Sequence, residues 1–290
     1  MAHRGNRTRQ GGKRGKKTAA LSITAAVFLG LSLAVWAGLF EYLEYKTYDL
    51  WVALFAESTR PSDDLVLVLL DQDSIDWAAE ERGWSWPWPR RAYGDLLAYM
   101  HVGGAASVTF DVIFSEPSVY GPEDDAAFIG ASAAFGRTVQ TVFFSTQTGN
   151  TFSWPEDADT PLFQIEDPPV DTLKTLLPGF TLLPGASGII GAQFPIQGLR
   201  NTAGCIGNIT GKADADGIFR RAPLFTFFDD RLVPGLSAAA LLAAKTSRGA
   251  TGIRYNEKKQ TLTWGDYRIP VDKNGGTLLR FRGNLDRYIP

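Results

Sequence analysis

Two aspartates, Asp71 and Asp73, follow directly on the apolar run Leu65-Val-Leu-Val-Leu-Leu70. A third, Asp111, falls within or near the end of a second β-type run, Ala106 to Phe114. Apolar, β-branched runs of this length predict strands buried on both faces, with polar ends emerging from a parallel sheet. Open α/β sheets bind ligands at that carboxyl edge. Three carboxylates there could hold magnesium, hard oxygen on hard cation, while one of them attacks a phosphoryl group. Against this, no Lys lies near the two runs to neutralise a phosphate, and Arg90 and Arg91 are the cations close in sequence. The structural alternative is that the acids cap loops and pair with those arginines.

Trp84, Trp86 and Trp88 alternate with Ser85, Pro87 and Pro89, so an extended backbone sets all three indoles on one side. They could stack against a sugar or another ring. Equally, they could wedge a helix N-terminus against its sheet. The expected ligand-binding set is Asp71, Asp73, Trp86, Trp88, Arg90 and Asp111, which together offer acceptors, a guanidinium and stacking faces. No catalytic residue, no metal and no cofactor is expected. Two histidines and one cysteine rule out a disulfide framework and argue against a His/Cys zinc site. No Gly-x-Ser-x-Gly elbow occurs, and a Ser-His-Asp triad would have to use His101, poorly placed in the last turn of a helix. Gly11 to Thr18 has no phosphate-loop frame, and Lys212 to Pro223 fails as a calcium loop at its first and twelfth positions.

The elements that would position these residues can be read from periodicity. Tyr93, Leu96, Leu97 and Met100 recur at helical spacing between Arg91 and His101, and Gly103-Gly104 supplies the stop, completing one βαβ unit. Pro122 to Phe135 opens with acids and predicts a second helix, and Thr138 to Phe144 a third strand. Asn150 to Pro195 is punctuated by seven prolines and predicts an irregular excursion. Gly204 to Thr210 and Gly217 to Phe228 predict a hairpin around Asp216-Gly217, followed by an Ala/Leu helix at Leu236 to Lys245 and strands from Ile253 to Arg282. The expected fold is α/β: a mixed, largely parallel sheet with flanking helices and a β-hairpin extension, preceded by one N-terminal transmembrane helix.

With 290 residues and 44% apolar content, one large core is physically comfortable. The first seventeen residues hold seven Lys or Arg and no acid, so the net charge of −2 leaves −9 for the rest. An acidic body argues against nucleic acid. Residues 1–17 read as a disordered basic tail that meets anionic lipid. Residues 18–40 carry no charge and as a helix span roughly 34 Å, enough for a hydrocarbon core of about 30 Å. The rival reading is a cleaved signal peptide, but the apolar run exceeds the usual signal core. With Lys16 and Lys17 before the span and Glu41 and Glu44 after it, the tail is expected in the cytoplasm and the body outside, anchored in the inner membrane. Residues 41–62 read as a stalk and 63–290 as the exported domain. Expected partners are the bilayer and a small ligand of unspecified class, with a homodimer allowed.

Several motifs resemble one family. They are Tyr48-Asp49, Val66 to Asp71, Trp86-Pro-Trp-Pro-Arg90, Gly104-Ala105 leading to Phe110-Asp111 and Phe114, Asp124-Asp125, Asp214-Ala-Asp-Gly-Ile-Phe-Arg-Arg221 with Pro223, and Leu279-Arg-Phe-Arg-Gly283. From about Tyr48 to Arg282 the chain is similar to the type-two CHASE sensor, an exported domain of bacterial receptors joined to cyclases or to histidine or protein kinases. The resemblance implies a non-catalytic sensor of an unknown stimulus. It also implies a further strand, several membrane helices and a cytoplasmic output after Pro290, so the domain is expected to be incomplete at its C-terminus. The rival functions are an exported metal-dependent phosphoester hydrolase and a membrane-anchored surface binding protein.

Overall fold

The uncharged stretch forms most of a helix, α1 (Arg9–Trp36), in the computed structural model, which describes residues 9–55, 62–145, 151–158, 165–167, 169, 171–172, 176, 191–211, 213–229, 231–245, 252–272 and 275–281. The chain divides into two units, residues 1–67 with 280–290 and residues 68–279. Within the first unit, Ala19–Trp36 is long and apolar enough to cross a membrane and is wholly unburied. The helix starts at Arg9, inside the segment read as a tail, and stops before Phe40, because Gly38 takes a φ of 72°. That left-handed conformation costs a residue bearing a Cβ roughly 1–2 kcal/mol per position, so glycine places the break. A second helix, α2 (Leu39–Phe55), follows with no residue buried, and Trp51 stacks on Phe55 at 5.1 Å.

The buried strand expected at Leu65–Leu70 does not form. These six residues carry no ladder, and their exposure runs from 79% at Leu65 to 37% at Leu70. A two-face-buried strand needs a neighbour on each side, and no described residue pairs with this run. A helix that the spacing did not announce comes next: α3 (Gln72–Arg82), capped by Asp71 at its start and by Gly83 at its end. Asp-Gln-Asp-Ser supplies a side-chain cap and an acidic first turn, which together nucleate a helix of weak amphipathicity.

In the second unit, α4 (Arg90–Val102) and α5 (Pro122–Phe135) match the expected helices and pack on each other. Gly94 of α4 makes that approach close, since a Cβ there would lie 3.3 Å from the Ala127 carbonyl oxygen. Their shared core holds Tyr93, Leu97, Phe110, Phe114, Phe128, Phe135 and Leu199, with Phe114 and Phe128 edge to face at 5.1 Å. Of the run Ala106 to Phe114, only β1 (Val108–Thr109) is strand.

The central strand is β2 (Thr138–Ser145), buried along nearly all its length. It pairs in parallel with β1 and with β5 (Cys205–Asn208), and antiparallel with β4 (Gly191–Gln193); β3 is the short Ile165–Asp167, and α6 (Gln197–Thr202) lies between β4 and β5. On one face of β2, Thr138 shares a hydrogen bond of 2.8 Å with Ser132, and Val142 and Phe144 enter a core with Trp154, Phe194 and Phe228. On the other, Val139 joins Ala239 and Leu242 of α7 (Leu236–Lys245). Gly207 lets α7 lie close on β5, since a Cβ there would meet the Ala239 Cβ at 2.9 Å.

The expected hairpin is differently made. The turn exists, with Gly217 N donating to Asp214 O at 2.9 Å, but the runs beside it do not pair. Instead β6 (Arg221–Pro223) pairs with β12 (Gly276–Leu278), and the hairpin is β7 (Phe225–Phe228) with β8 (Arg231–Pro234), beside Asp229 at φ 49°. The run after Gly217 is thus two strands, because Leu224 O accepts the Gly235 amide and turns the chain there. The antiparallel strands β9 (Ile253–Asn256), β10 (Thr261–Trp264) and β11 (Tyr267–Pro270) follow, with β3 parallel to β9. The architecture is mixed α/β as expected, but among the described residues it is not largely parallel: β2 with β1 and β5, and β3 with β9, are the parallel pairs, and the remaining pairs are antiparallel. Most of the excursion from Asn150 to Pro195, Asn274 and the chain after Phe281 lie outside the described residues, as does the expected incompleteness at the C-terminus.

Candidate functional site

The six expected ligand residues separate into two groups. Asp71 and Asp73 sit at the N-terminus of α3, where the Asp71 carboxylate accepts from Ser74 N at 2.9 Å and from Ser74 Oγ at 2.6 Å. The Ser74 hydroxyl, and then its amide, hold Asp71 below the ordinary carboxylate value of 3.8. Asp73 is an exposed first-turn acid, and Asp111 is exposed and makes no side-chain hydrogen bond or ion pair among the described residues. Among the described residues Asp71, Asp73 and Asp111 make no ion pair with Arg90 or Arg91, so of the structural alternative read from the sequence only the capping is seen, at Asp71.

Arg90 belongs to a buried network at the joined N-termini of α4 and α5, and Trp88 packs on the apolar core between those helices. Arg90 N donates to Asp124 Oδ2 at 2.6 Å and Arg91 N to Asp124 Oδ1 at 3.0 Å, so an acid of α5 caps α4. The Ser118 hydroxyl donates to the same carboxylate at 2.5 Å, and Ser118 N to Asp125 Oδ2 at 2.9 Å. The Arg90 guanidinium lies 4.4 Å from the centre of the Phe114 ring, donates to Glu116 O at 3.1 Å and stands 3.6 Å from Asp125 Oδ1. Burial lowers the Arg90 pKa, and the neighbouring Asp125 opposes that shift. Burial likewise pushes Asp124 upward, but the Ser118 hydroxyl and the Arg91 and Arg90 amides outweigh it and leave its pKa lowered. Such charge-assisted bonds contribute about 1.5–3 kcal/mol each when buried, so this network is a strong fastener.

The three indoles do not form one shelf. Trp88 turns inward against the α4–α5 core and meets Trp84 edge-on at 6.1 Å, whereas Trp86 stands 52% exposed, with a cis peptide bond to Pro87. The Tyr120 hydroxyl donates to Ser85 O at 3.2 Å, which brings a second, 44% exposed ring to the same turn. Two buried polar atoms in this region, Trp88 Nε1 and Asp125 Oδ1, lack hydrogen-bond partners among the described residues. Asp124, Asp125 and Ser118 are the residues that reading the sequence for a site passed over. Their signal was present in part: an acid pair opening one helix faces the first turn of another that opens with two arginines. Among the described residues no cluster of His, Cys, Asp and Glu could hold a metal ion.

In sequence, a helix long and apolar enough to cross a membrane precedes a mixed α/β body that carries a buried ionic fastener. The model of the CHASE2 domain family matches residues 23–290, nearly the whole chain, and the chain belongs to that family. CHASE2 is a family of extracellular sensor domains of signalling receptors, not of catalysts. No curated protein and no solved structure matches the chain.

Proposed function

We propose that the chain is the extracytoplasmic sensor module of a membrane receptor, passing an outside stimulus through the bilayer to a cytoplasmic cyclase or kinase. The observation that carries the reading is the CHASE2 match, which begins within the span Ala19–Trp36 and continues through the body. The basic residues before that span and the acids after it favour a cytoplasmic tail, an inner-membrane anchor and an exported body. A ligand would act on the exposed members of the expected set, Asp71, Asp73, Trp86 and Asp111, while Trp88 and Arg90 hold the turn that presents Trp86.

The test is to join the chain to a reporter cyclase in a bacterial inner membrane and compare Trp86→Ala and Asp73→Ala with wild type. Altered stimulus-dependent cyclase output with an unchanged melting temperature supports the reading. Unchanged output from correctly inserted variants removes these residues from the site, and a reporter that never responds to changes in the external medium counts against a sensor.

A further inference from the structure

Among the described residues Arg220 is the largest fully buried side chain, at 1% exposure, and it is charged. Its two terminal nitrogens fork onto Asp216, 2.7 Å to Oδ1 and 2.8 Å to Oδ2, and one of them also reaches Asp214 Oδ2 at 3.2 Å. Asp214 Oδ1 accepts from Arg221 at 2.9 Å, and Arg221 Nε lies 3.0 Å from Asp272 Oδ2. Asp272 Oδ1 in turn accepts the Gly276 amide at 3.0 Å. An unbroken line of ionic contacts thus runs from the Asp214–Gly217 turn to the start of β12.

The strand pair at the end of that line is weak by itself. β6 and β12 form a two-stranded sheet with three paired positions, and none of its six residues is fully buried. Two-stranded ribbons of this kind are marginal in water. Burying a guanidinium carries a desolvation cost that its ion pairs at best balance, and an apolar side chain of similar volume often serves stability as well or better. The charges at Arg220 are therefore poorly explained by global stability and well explained by a need to fix where the ribbon sits.

We infer that the β6–β12 ribbon opens as a separate unit and that the Asp216–Arg220–Asp214–Arg221–Asp272 line is the latch that holds it shut in one register. Arg220 is the positioning residue, because its side chain anchors the turn while its carbonyl accepts the Leu279 amide at 2.8 Å, just past β12. Breaking the latch frees β12 without loosening β2, since the ribbon shares no backbone ladder with the central sheet among the described residues. The inference requires neither a ligand nor an output, so it stands apart from the sensor reading.

The experiment is amide hydrogen exchange on the full chain in lipid nanodiscs, with wild type, Asp216→Asn, Arg220→Met and Arg221→Gln, and a melting temperature for each. The expected result is that the Thr277–Leu279 amides already exchange faster than those of Val139–Val142 in wild type, and that in Asp216→Asn and Arg220→Met they exchange at least about tenfold faster still, with the melting temperature lowered in step because stability lost at the latch is lost to global unfolding as well. Arg221→Gln, at a partly exposed position, should give a smaller acceleration of the same amides. Ribbon amides that exchange in step with those of β2 in wild type, or that the variants leave unchanged, would overturn the latch. A failure of Arg220→Met to fold would overturn the positioning role, and Arg221→Gln then decides whether the ribbon opens alone.

Discussion

The carboxylate of Asp124 receives the backbone amide of Arg90 at 2.6 Å, across thirty-four residues of chain. One helix therefore supplies the N-cap of another, and the start of α4 cannot form fully until α5 has docked. Asp124→Ala should lower stability by about 2–4 kcal/mol, more than an ordinary cap, because it orphans the Arg90 and Arg91 amides and the Ser118 hydroxyl together. Chemical denaturation of wild type and variant measures it. A loss below about 0.5 kcal/mol, within the range of plain surface substitutions, would mean that water replaces the carboxylate without cost.

The same carboxylate sets a pH dependence. Its folded pKa lies below the ordinary 3.8, so its contribution is complete above that unfolded value and is lost as the pH falls through the folded one. Melting temperatures of wild type and Asp124→Asn, followed from about pH 6 to about pH 3, should therefore converge on the acid side. A gap that stays constant to the acid end would contradict the assignment.

Trp86 and Trp88 should respond oppositely to truncation. Trp88→Ala removes an indole packed on the α4–α5 core and should cost an appreciable part of the about 3–5 kcal/mol typical of buried aromatics. Trp86→Ala removes a half-exposed ring and should stay within about 0.5 kcal/mol of wild type. Comparable losses at both positions would show that Trp86 is not presented to solvent.

Cys205 should be inert in the folded protein. Burial pushes its thiol up to about 12, so almost no thiolate exists near neutrality. An alkylating reagent should label it only once denaturant exposes β5. Rapid labelling of the native chain would place β5 nearer the surface.

Topology can be checked with a protease added to spheroplasts, whose outer membrane has been opened. The body should be digested and the tail before Lys17 spared, and a digested tail beside an intact body would reverse the orientation.

Elements whose apolar faces meet a partner inside the second unit were legible from periodicity. Tyr93 and Leu97 mark α4, Ala239 and Leu242 mark α7, and β2 is bounded almost to the residue. α3 was missed because its Ala78 is its one buried residue, so it carries no stripe, and its signal lay wholly in Asp71 and Gly83 as caps. Leu65–Leu70 misled because apolar content reports a wish for burial, not the presence of a partner strand. Arg90 and Trp88 drew notice through their motif, as candidate ligand residues. The fastening of Arg90 to Asp124 and Asp125 was not legible, since pairing across thirty-four residues leaves no mark in local spacing. The expected hairpin failed for a related reason: the turn was local and legible, whereas the partner of β6 lay more than fifty residues on, at β12.

Gly38 has a mechanical consequence. A helix running unbroken from Arg9 to Phe55 would act as a drive shaft, delivering any rotation at one end to the other through a continuous ladder of hydrogen bonds. With the backbone in the left-handed region at Gly38, α1 and α2 are instead two rods meeting at an elbow. The break interrupts the ladder through which torque would pass, so motion delivered along this path is expected as tilt or as push and pull.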